Sequence, residues 1–451
     1  MEYKPATNSR CSKRSRARIV ETEAAHSKHK HKHQHQHQPL QVVWLQGQQR
    51  QAGAKSTMLI GCALPFEGNQ RVVGEAVFQA ARMAVMDKAP ALLPGVNVNL
   101  TCINSKCIDI PTYNAVYDLA ERGAVAVIGE VCSGASVAAA GVSNAKKLPI
   151  ISPSSTTPSL SQPDFFFRVI PSDTYQGSAV ADLVSNRGLK NIGLVYEDTA
   201  YGYGLGFSFI AAFTSLGGNV PVVVMFKRGQ GNVADAIRQL RAGQGSSQYP
   251  LDGAFIATGN VTFVADLLVA AQAANLELPL FGGDSSSSPE LMKLIAGRPS
   301  VIGNFTVVAP SMYMQAKPEI QAGMLTPCTP GDSAFLRRFS DFVKQSNADP
   351  LAAESVFAAR GYDAMTALLQ AYAAAQAPKN GPAIVAALQR QNFTGVSGAI
   401  AFDRNGDLVA TDRTYVFGQL TPKGAVEVED FIDISNDGGQ VAARATASAG
   451  V

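Results

Sequence analysis

Residues 124–152, AVAVIGEVCSGASVAAAGVSNAKKLPIIS, decide the fold. Ala124 to Gly129 is an apolar run that reads as a strand buried on both faces. Ala135 to Lys147 carries small apolar residues at helical spacing, and Pro149 to Ser152 is a second short apolar run. Strand, helix and strand in that order make one βαβ unit with parallel strands. The alternation continues in both directions. Upstream, Met58 to Leu64 and Val96 to Cys102 read as strands, while Val73, Val77, Ala80 and Ala84 mark one helical face and Tyr113 to Arg122 a second helix. Downstream, strands at Ile192–Tyr196, Val220–Phe226, Ala254–Ala257 and Leu278–Phe281 alternate with helices at Leu205–Leu216, Val233–Arg241 and Phe263–Ala274. Two such series predict an α/β chain of two lobes, each a parallel sheet sandwiched by helices. After Val307 come helices at Ala334–Lys344, Ser355–Tyr372 and Pro382–Gln389, then hairpin-like strands around Phe402 and Tyr415.

Length and composition agree with two lobes. A chain of 451 residues exceeds one compact core;. With 46 % hydrophobic and 16 % charged residues, general disorder is excluded;. The net charge of +3 hides an asymmetry. Residues 1–56 hold eleven Lys and Arg against three Glu, a net +8, so the body carries −5. An acidic body does not collect phosphate backbones, and no nucleic-acid partner is expected. All six histidines, His26, His29, His31, His33, His35 and His37, lie in the tail. The body therefore lacks the imidazole of a Ser/His/Asp triad, a Cys/His pair or a His-ligated zinc, and only carboxylate-based catalysis stays open to it. The tract HSKHKHKHQHQHQ reads as a disordered, solvated arm, with metal binding as the competing reading; no metal or cofactor is assigned;. No secretory signal is legible, because the run Val42 to Leu45 falls short of the ~7 to 15 apolar residues one needs;. No stretch reaches the ~20 apolar residues of a membrane span, so a soluble chain is expected.

In sheets of this kind ligands gather at the carboxyl ends of the strands, where helix N-termini present unpaired N–H groups. Those ends are Cys132-Ser133-Gly134, Ser152 to Thr157, Asp198 with Tyr201, Thr258 to Asn260, and Gly283-Asp284. Hydroxyls dominate the first lobe; the second offers an acid and a phenol. A free α-amino acid needs that division, with hydroxyls and N–H groups for its carboxylate and a carboxylate for its ammonium. The competing readings are helix caps at Ser133 and Thr156 and a turn residue at Asp284. The run Tyr201-Gly-Tyr-Gly-Leu-Gly has the spacing G-x-G-x-G, with no acid about twenty residues on. It reads as a turn and helix start rather than a dinucleotide loop;.

From about Ser56 to about Ile434 the chain resembles the leucine/isoleucine/valine-binding proteins, the type I periplasmic solute receptors whose fold is shared with the ligand domains of metabotropic glutamate receptors. The motifs come in the family's order: LIGCALPFEG with GEA, AVIGEVCSGAS, PIISPSSTTPSL, FFFRVIPSDTYQG, VYEDTAYGYGLG, FGGD with SPEL, ARGYDA and GVSGAIAFDRNGD. The resemblance implies that Ser133 and Thr156, with backbone groups of Ser154 and Ser155, bind the ligand α-carboxylate. It implies that Tyr201 closes from the second lobe and that Asp284, where the family often has glutamate, receives the ammonium. Two positions depart from the pattern. Asn260 and Val73 stand where many members place aromatic residues, so branched-chain specificity does not carry over. Asn260, with Arg71 nearby, suits a polar or acidic side chain at least as well as leucine.

The resemblance also implies a disulfide between Cys107 and Cys132, which stand 25 residues apart, and with it an oxidising, extracytoplasmic compartment;. Cys62 and Cys102 fall on strands that should be neighbours and read as buried free thiols. Cys11 and Cys328 have no assigned partner, and Cys132 lacks the histidine that would make it a nucleophile. Sequons occur at Asn99, Asn260, Asn304 and Asn392; a glycan on Asn260 would block the cleft;. The expectation is a non-enzymatic solute-binding protein with three interlobe crossings. Lobe 1 is 57–171 plus 308–398, lobe 2 is 172–307 plus 399–435, and 436–451 is a flexible tail. It closes on an amino-acid-like ligand for a membrane permease. A sensory ligand domain of a signalling receptor and an α/β enzyme without histidine chemistry are the alternatives.

Overall fold

The βαβ unit read from residues 124–152 forms as expected and organises the first half of the molecule. The computed structural model describes residues 56–296, 305–310, 315–316, 330–375, 380–409, 415–420 and 426–432. The His-rich tail, the C-terminal tail, Cys11, Cys328 and Asn304 lie outside the described residues. Strands β1 (Ser56–Leu64), β2 (Val96–Asn104), β3 (Ala126–Gly129), β4 (Ile150–Ser152) and β5 (Phe166–Arg168) form a sheet in the order β2-β1-β3-β4-β5. Every pair in it is parallel. β1 is buried on both faces because alternate side chains enter two cores. Met58, Ile60, Cys62 and Leu64 pack with α1 (Arg71–Leu92), whereas Leu59 and Ala63 pack with α2 (Asp109–Glu121) and α3 (Ser133–Lys146).

The second series runs α4 (Asp173–Asn186), β6 (Ile192–Asp198), α5 (Ala200–Ser215), β7 (Val223–Lys227), α6 (Val233–Gln244), β8 (Gly253–Ala257), α7 (Val261–Ala273), β9 (Leu280–Gly282), α8 (Pro289–Ile295), β10 (Phe305–Pro310) and β11 (Gln315–Ala316). The remaining elements are α9 (Pro330–Gln345), α10 (Phe357–Ala375), α11 (Gly381–Leu388), β12 (Asn392–Gly395), β13 (Gly398–Ala401), β14 (Tyr415–Leu420) and β15 (Val426–Ile432). The second sheet has the order β11-β15-β14-β10-β9-β8-β6-β7. It is not parallel throughout, as the sequence pattern suggested. β14 runs antiparallel to both β10 and β15; β14 and β15 are consecutive strands, and an antiparallel pair needs no crossover helix;. α4 and α5 cover one face of this sheet through Val180, Leu205, Phe209 and Phe213. α10 returns to the first sheet and lies along α1, where Tyr362 Oη donates to Asp87 Oδ2 at 2.9 Å.

Arg168, at the end of β5, is fully buried and ties three segments together. Its Nε donates to Asp407 Oδ1 at 2.7 Å, its Nη1 to Thr157 O at 2.9 Å and its Nη2 to Ser161 Oγ at 2.7 Å. The turn Asp403–Asp407 is thereby held at the edge of the first sheet, with Arg168 N donating to Gly406 O at 3.0 Å and Phe402 packed edge-on to Phe167. Breaking a buried, hydrogen-bonded charge pair leaves the remaining charge desolvated and alone. Arg168→Ala is expected to remove about 3 to 5 kcal/mol of stability, measured by urea unfolding. A loss under about 1 kcal/mol would show that the turn and loop hold without it.

Candidate functional site

The carboxyl ends of the two sheets face one cavity of about 440 Å³. Of the residues expected from sequence, Ser133, Ser154, Tyr201, Asn260 and Asp284 line it. Ser155 and Thr156 do not; they form a buried layer behind it. The reason is local. The loops after β3 and β4 are irregular backbone buried between lobes, and their carbonyl and N–H groups must be satisfied by side chains. Ser152 Oγ donates to Glu130 O at 2.6 Å and accepts from Ser155 N at 2.9 Å. Ser155 Oγ lies 2.6 Å from Ser136 Oγ and donates to Glu130 O at 3.1 Å. Much of the hydroxyl content serves the loops themselves.

Ser133 is not a cap. It is the first residue of α3, and its Oγ accepts from Thr156 N at 3.3 Å and Thr157 N at 3.4 Å. The helix has no side-chain cap, so its first N–H groups are left to the cavity;. Thr156 is not a cap either; its Oγ1 donates to Asp173 Oδ2 at 2.8 Å. At the opposite wall Tyr201 Oη donates to Asp284 Oδ1 at 2.5 Å, and Ser285 N donates to the same oxygen at 2.9 Å. Burial raises the pKa of the Asp284 carboxyl. It raises that of Asp173 well above the usual range, reinforced by the charge of Asp284. Asp173 Oδ1 and Gln176 Oε1 are buried without a hydrogen-bond partner. Asp173 is a site-adjacent acid that the sequence reading passed over; the signal was its place in IPSDTYQG between the two series.

Asn260 lines the cavity, yet its Oδ1 caps α7 by accepting from Phe263 N at 3.1 Å. Arg71 is elsewhere, ion-paired with Asp349. The arginine at the cavity is Arg228, just beyond β7, which sequence reasoning missed because only tertiary packing brings it there. The glycine run after Tyr201 is a packing device. Thr199 Oγ1 caps α5 by accepting from Gly202 N at 3.1 Å, and a Cβ on Gly204 would lie 2.8 Å from Pro158 Cδ and Thr157 Oγ1 of the other lobe.

Cys107 and Cys132 are joined as a disulfide, with Cα atoms 5.4 Å apart. Cys62 and Cys102 are joined as well, which corrects their reading as free thiols: they are register partners on β1 and β2 with Cα atoms 4.4 Å apart, within disulfide reach;. Glu130 lies fully buried beside the Cys107–Cys132 bridge, hydrogen-bonded to Ser105 Oγ and accepting from Cys132 N at 2.6 Å. Cys107, Glu130 and Cys132 present donor atoms within 4.8 Å of one another, but the two sulfurs are bonded to each other rather than free as thiolates;.

Burial pushes the Glu130 carboxyl up to about 7, from an ordinary 4.5. The folded chain thus holds a proton that the unfolded chain has released between those values. This contribution to stability is intact at the acid end and is lost as pH rises toward 7, by at most about 1.4 kcal/mol per unit. Glu130→Gln is expected to lose roughly 2 to 4 kcal/mol less than the parent between about pH 5 and about pH 8, in urea titrations. Equal losses in both proteins would assign the pH dependence to other groups.

The chain matches the receptor family ligand binding region over residues 76–413, well over half its length. It is 26 % identical to the leucine binding protein LivK of Thermotoga maritima, with a TM-score of 0.70 over 84 % of this chain and 99 % of that one. For LivJ of Streptococcus pneumoniae, solved with isoleucine, the identity is 23 % and the TM-score 0.65, over 82 % and 99 % of the two chains. Among curated proteins it is 25 % identical over 194 residues to an amino acid binding protein of Pseudomonas aeruginosa, 42 % of this chain and 52 % of that one. It is also 30 % identical over 147 residues to glutamate receptor 3.7 of Arabidopsis thaliana, 32 % of this chain and 16 % of that one. The first curated relatives are matched over less than a quarter of their own length. The chain belongs to the receptor family ligand binding regions and has the two-lobed type I periplasmic-binding-protein fold.

Proposed function

We propose that this protein binds an amino acid or similar small zwitterion between its lobes and holds it by hinge closure, without chemistry, outside the cytoplasm. One observation carries the reading. The uncapped end of α3 with Ser133 and Ser154 faces the same cavity as buried Asp284 and its half-buried partner Tyr201 on the opposite lobe. One wall suits a carboxylate and the other an ammonium. In this reading the first lobe ends near Pro171 and takes back the chain for α9 to α11; the third crossing follows Val409, because Phe402 and Asp407 are held by β5. The two disulfides support an oxidising compartment;.

Delivery to an ABC-type permease is the role the LivK and LivJ likenesses support. A sensory ligand domain is the second reading, favoured by the likeness to a glutamate receptor. Among the described residues no helix is long and apolar enough to cross a membrane. The ligand's side chain is left open: Val73, Asn260 and Phe357 line the cavity, and Asn260 spends its carbonyl on a cap.

Thermal-shift and calorimetric screening of free amino acids, their amides and organic acids tests the zwitterion. A ligand confined to the folded cleft raises the melting temperature. Asp284→Ala is expected to weaken any α-amino acid by about 10- to 100-fold while the fold survives, since it removes a charge-assisted contact and relieves a buried carboxylate. Unchanged affinity would place the ammonium elsewhere. Because burial raises the Asp284 pKa, protonation silences this acceptor at low pH. Amino-acid affinity should therefore rise with pH through the elevated value and then level off; a flat profile between about pH 4 and about pH 8 contradicts an ionised Asp284 as the ammonium partner.

A further inference from the structure

Two side-chain hydrogen bonds cross the cavity from one lobe to the other. Gln70 Nε2, from the residue just before α1, donates to Gly259 O at 3.2 Å. Arg228 Nη1 donates to Cys107 O at 2.9 Å. The acceptor of the second is unusual. Lys106 and Cys107 have φ of 58° and 56°, so two consecutive residues with side chains hold left-handed backbone;. This turn is fixed from three sides. Ser105 Oγ accepts from Cys107 N at 3.3 Å, and Ile108 N donates to Ser105 O at 3.1 Å. Glu130 ties Ser105 to Cys132 N, and the disulfide joins Cys107 to Cys132, the residue before Ser133 and the uncapped end of α3.

We propose that Arg228 is a positioning residue that clasps the closed cleft: it fastens the second lobe to the disulfide-fixed turn at Cys107, and through the bridge to the helix end at Ser133. Among the lining residues Arg228 is the only basic one, and Glu197 of its own lobe lines the same cavity. Opening the lobes would strip the guanidinium from Cys107 O. Arg228 therefore favours the closed arrangement through its bond to Cys107 O, and the bridge matters because it presents that carbonyl. The inference rests on the amino-acid reading for its kinetic test only.

The test uses the full chain with L-leucine, L-isoleucine and L-glutamate as probes and compares four proteins: the parent, Arg228→Ala, the pair Cys107→Ser with Cys132→Ser, and the combination. Arg228→Ala is expected to speed dissociation about tenfold, and Arg228→Lys to restore part of it. The serine pair should speed dissociation similarly, with the combination no faster than the faster-releasing of the two by more than about twofold, since both break one clasp. Multiplicative effects, or an unchanged rate in Arg228→Ala, overturn the proposal. Should the serine pair fail to fold, the Arg228→Ala and Arg228→Lys rates decide alone. If none of the three probes binds the parent, it is the amino-acid reading that fails for them. Amide exchange in the ligand-free chain then decides the clasp: faster exchange at residues 106–108 in Arg228→Ala supports it, and equal exchange overturns it.

Discussion

Two carboxyl groups, Asp173 and Asp284, are buried at the meeting of the lobes with no basic side chain bonded to either in the described structure. A desolvated carboxylate is costly unless a proton, a hydrogen bond or a cation offsets its charge. Here Thr156, Tyr201 and Ser285 supply hydrogen bonds, and Asp173 Oδ1 stays unmet. The rest of the site is arranged around this pair. α4 begins at Asp173, α5 begins at Ala200 on the cavity wall, and β9 delivers Asp284 at its carboxyl end. A proton lowers the energy of the group, and a positively charged guest, as proposed above, would do the same.

The strands that are continuous apolar runs were readable from sequence, because burial on both faces leaves no polar position to blur them. β5 and α4 were not. β5 is three residues long and ends in Arg168, a charged residue whose complete burial is explained only by Asp407, 239 positions away. α4 has Gly177 near its middle, which propensity counts against a helix. The structure needs it there: a Cβ would sit 2.6 Å from Phe209 N, so α4 and α5 cross at close range.

That Ser133 and Asp284 reach the cavity was legible, and the layer behind them was not. Asp284 and Ser133 follow apolar runs, where strand ends position side chains by rule. A hydroxyl in such a loop can serve a ligand or the loop's own backbone, and sequence alone does not separate the two. Ser155 and Thr156 went to the interior for that reason. Glu130 was visible as a lone acid inside AVIGEVC, but its partner Ser105 lies on another loop. Arg228 and Cys107 are 121 residues apart, and nothing local links them.

Both disulfides lie between Cys62 and Cys132, so all the covalent bracing among the described residues belongs to one half of the molecule. The described residues of the other half are held by packing, hydrogen bonds and surface ion pairs. The two jaws are thus mechanically unlike, an anvil that cannot relax and a softer hammer. On the proposed reading, adaptation to a new guest should accumulate on the softer side, while the braced side would recognise the part that all guests share.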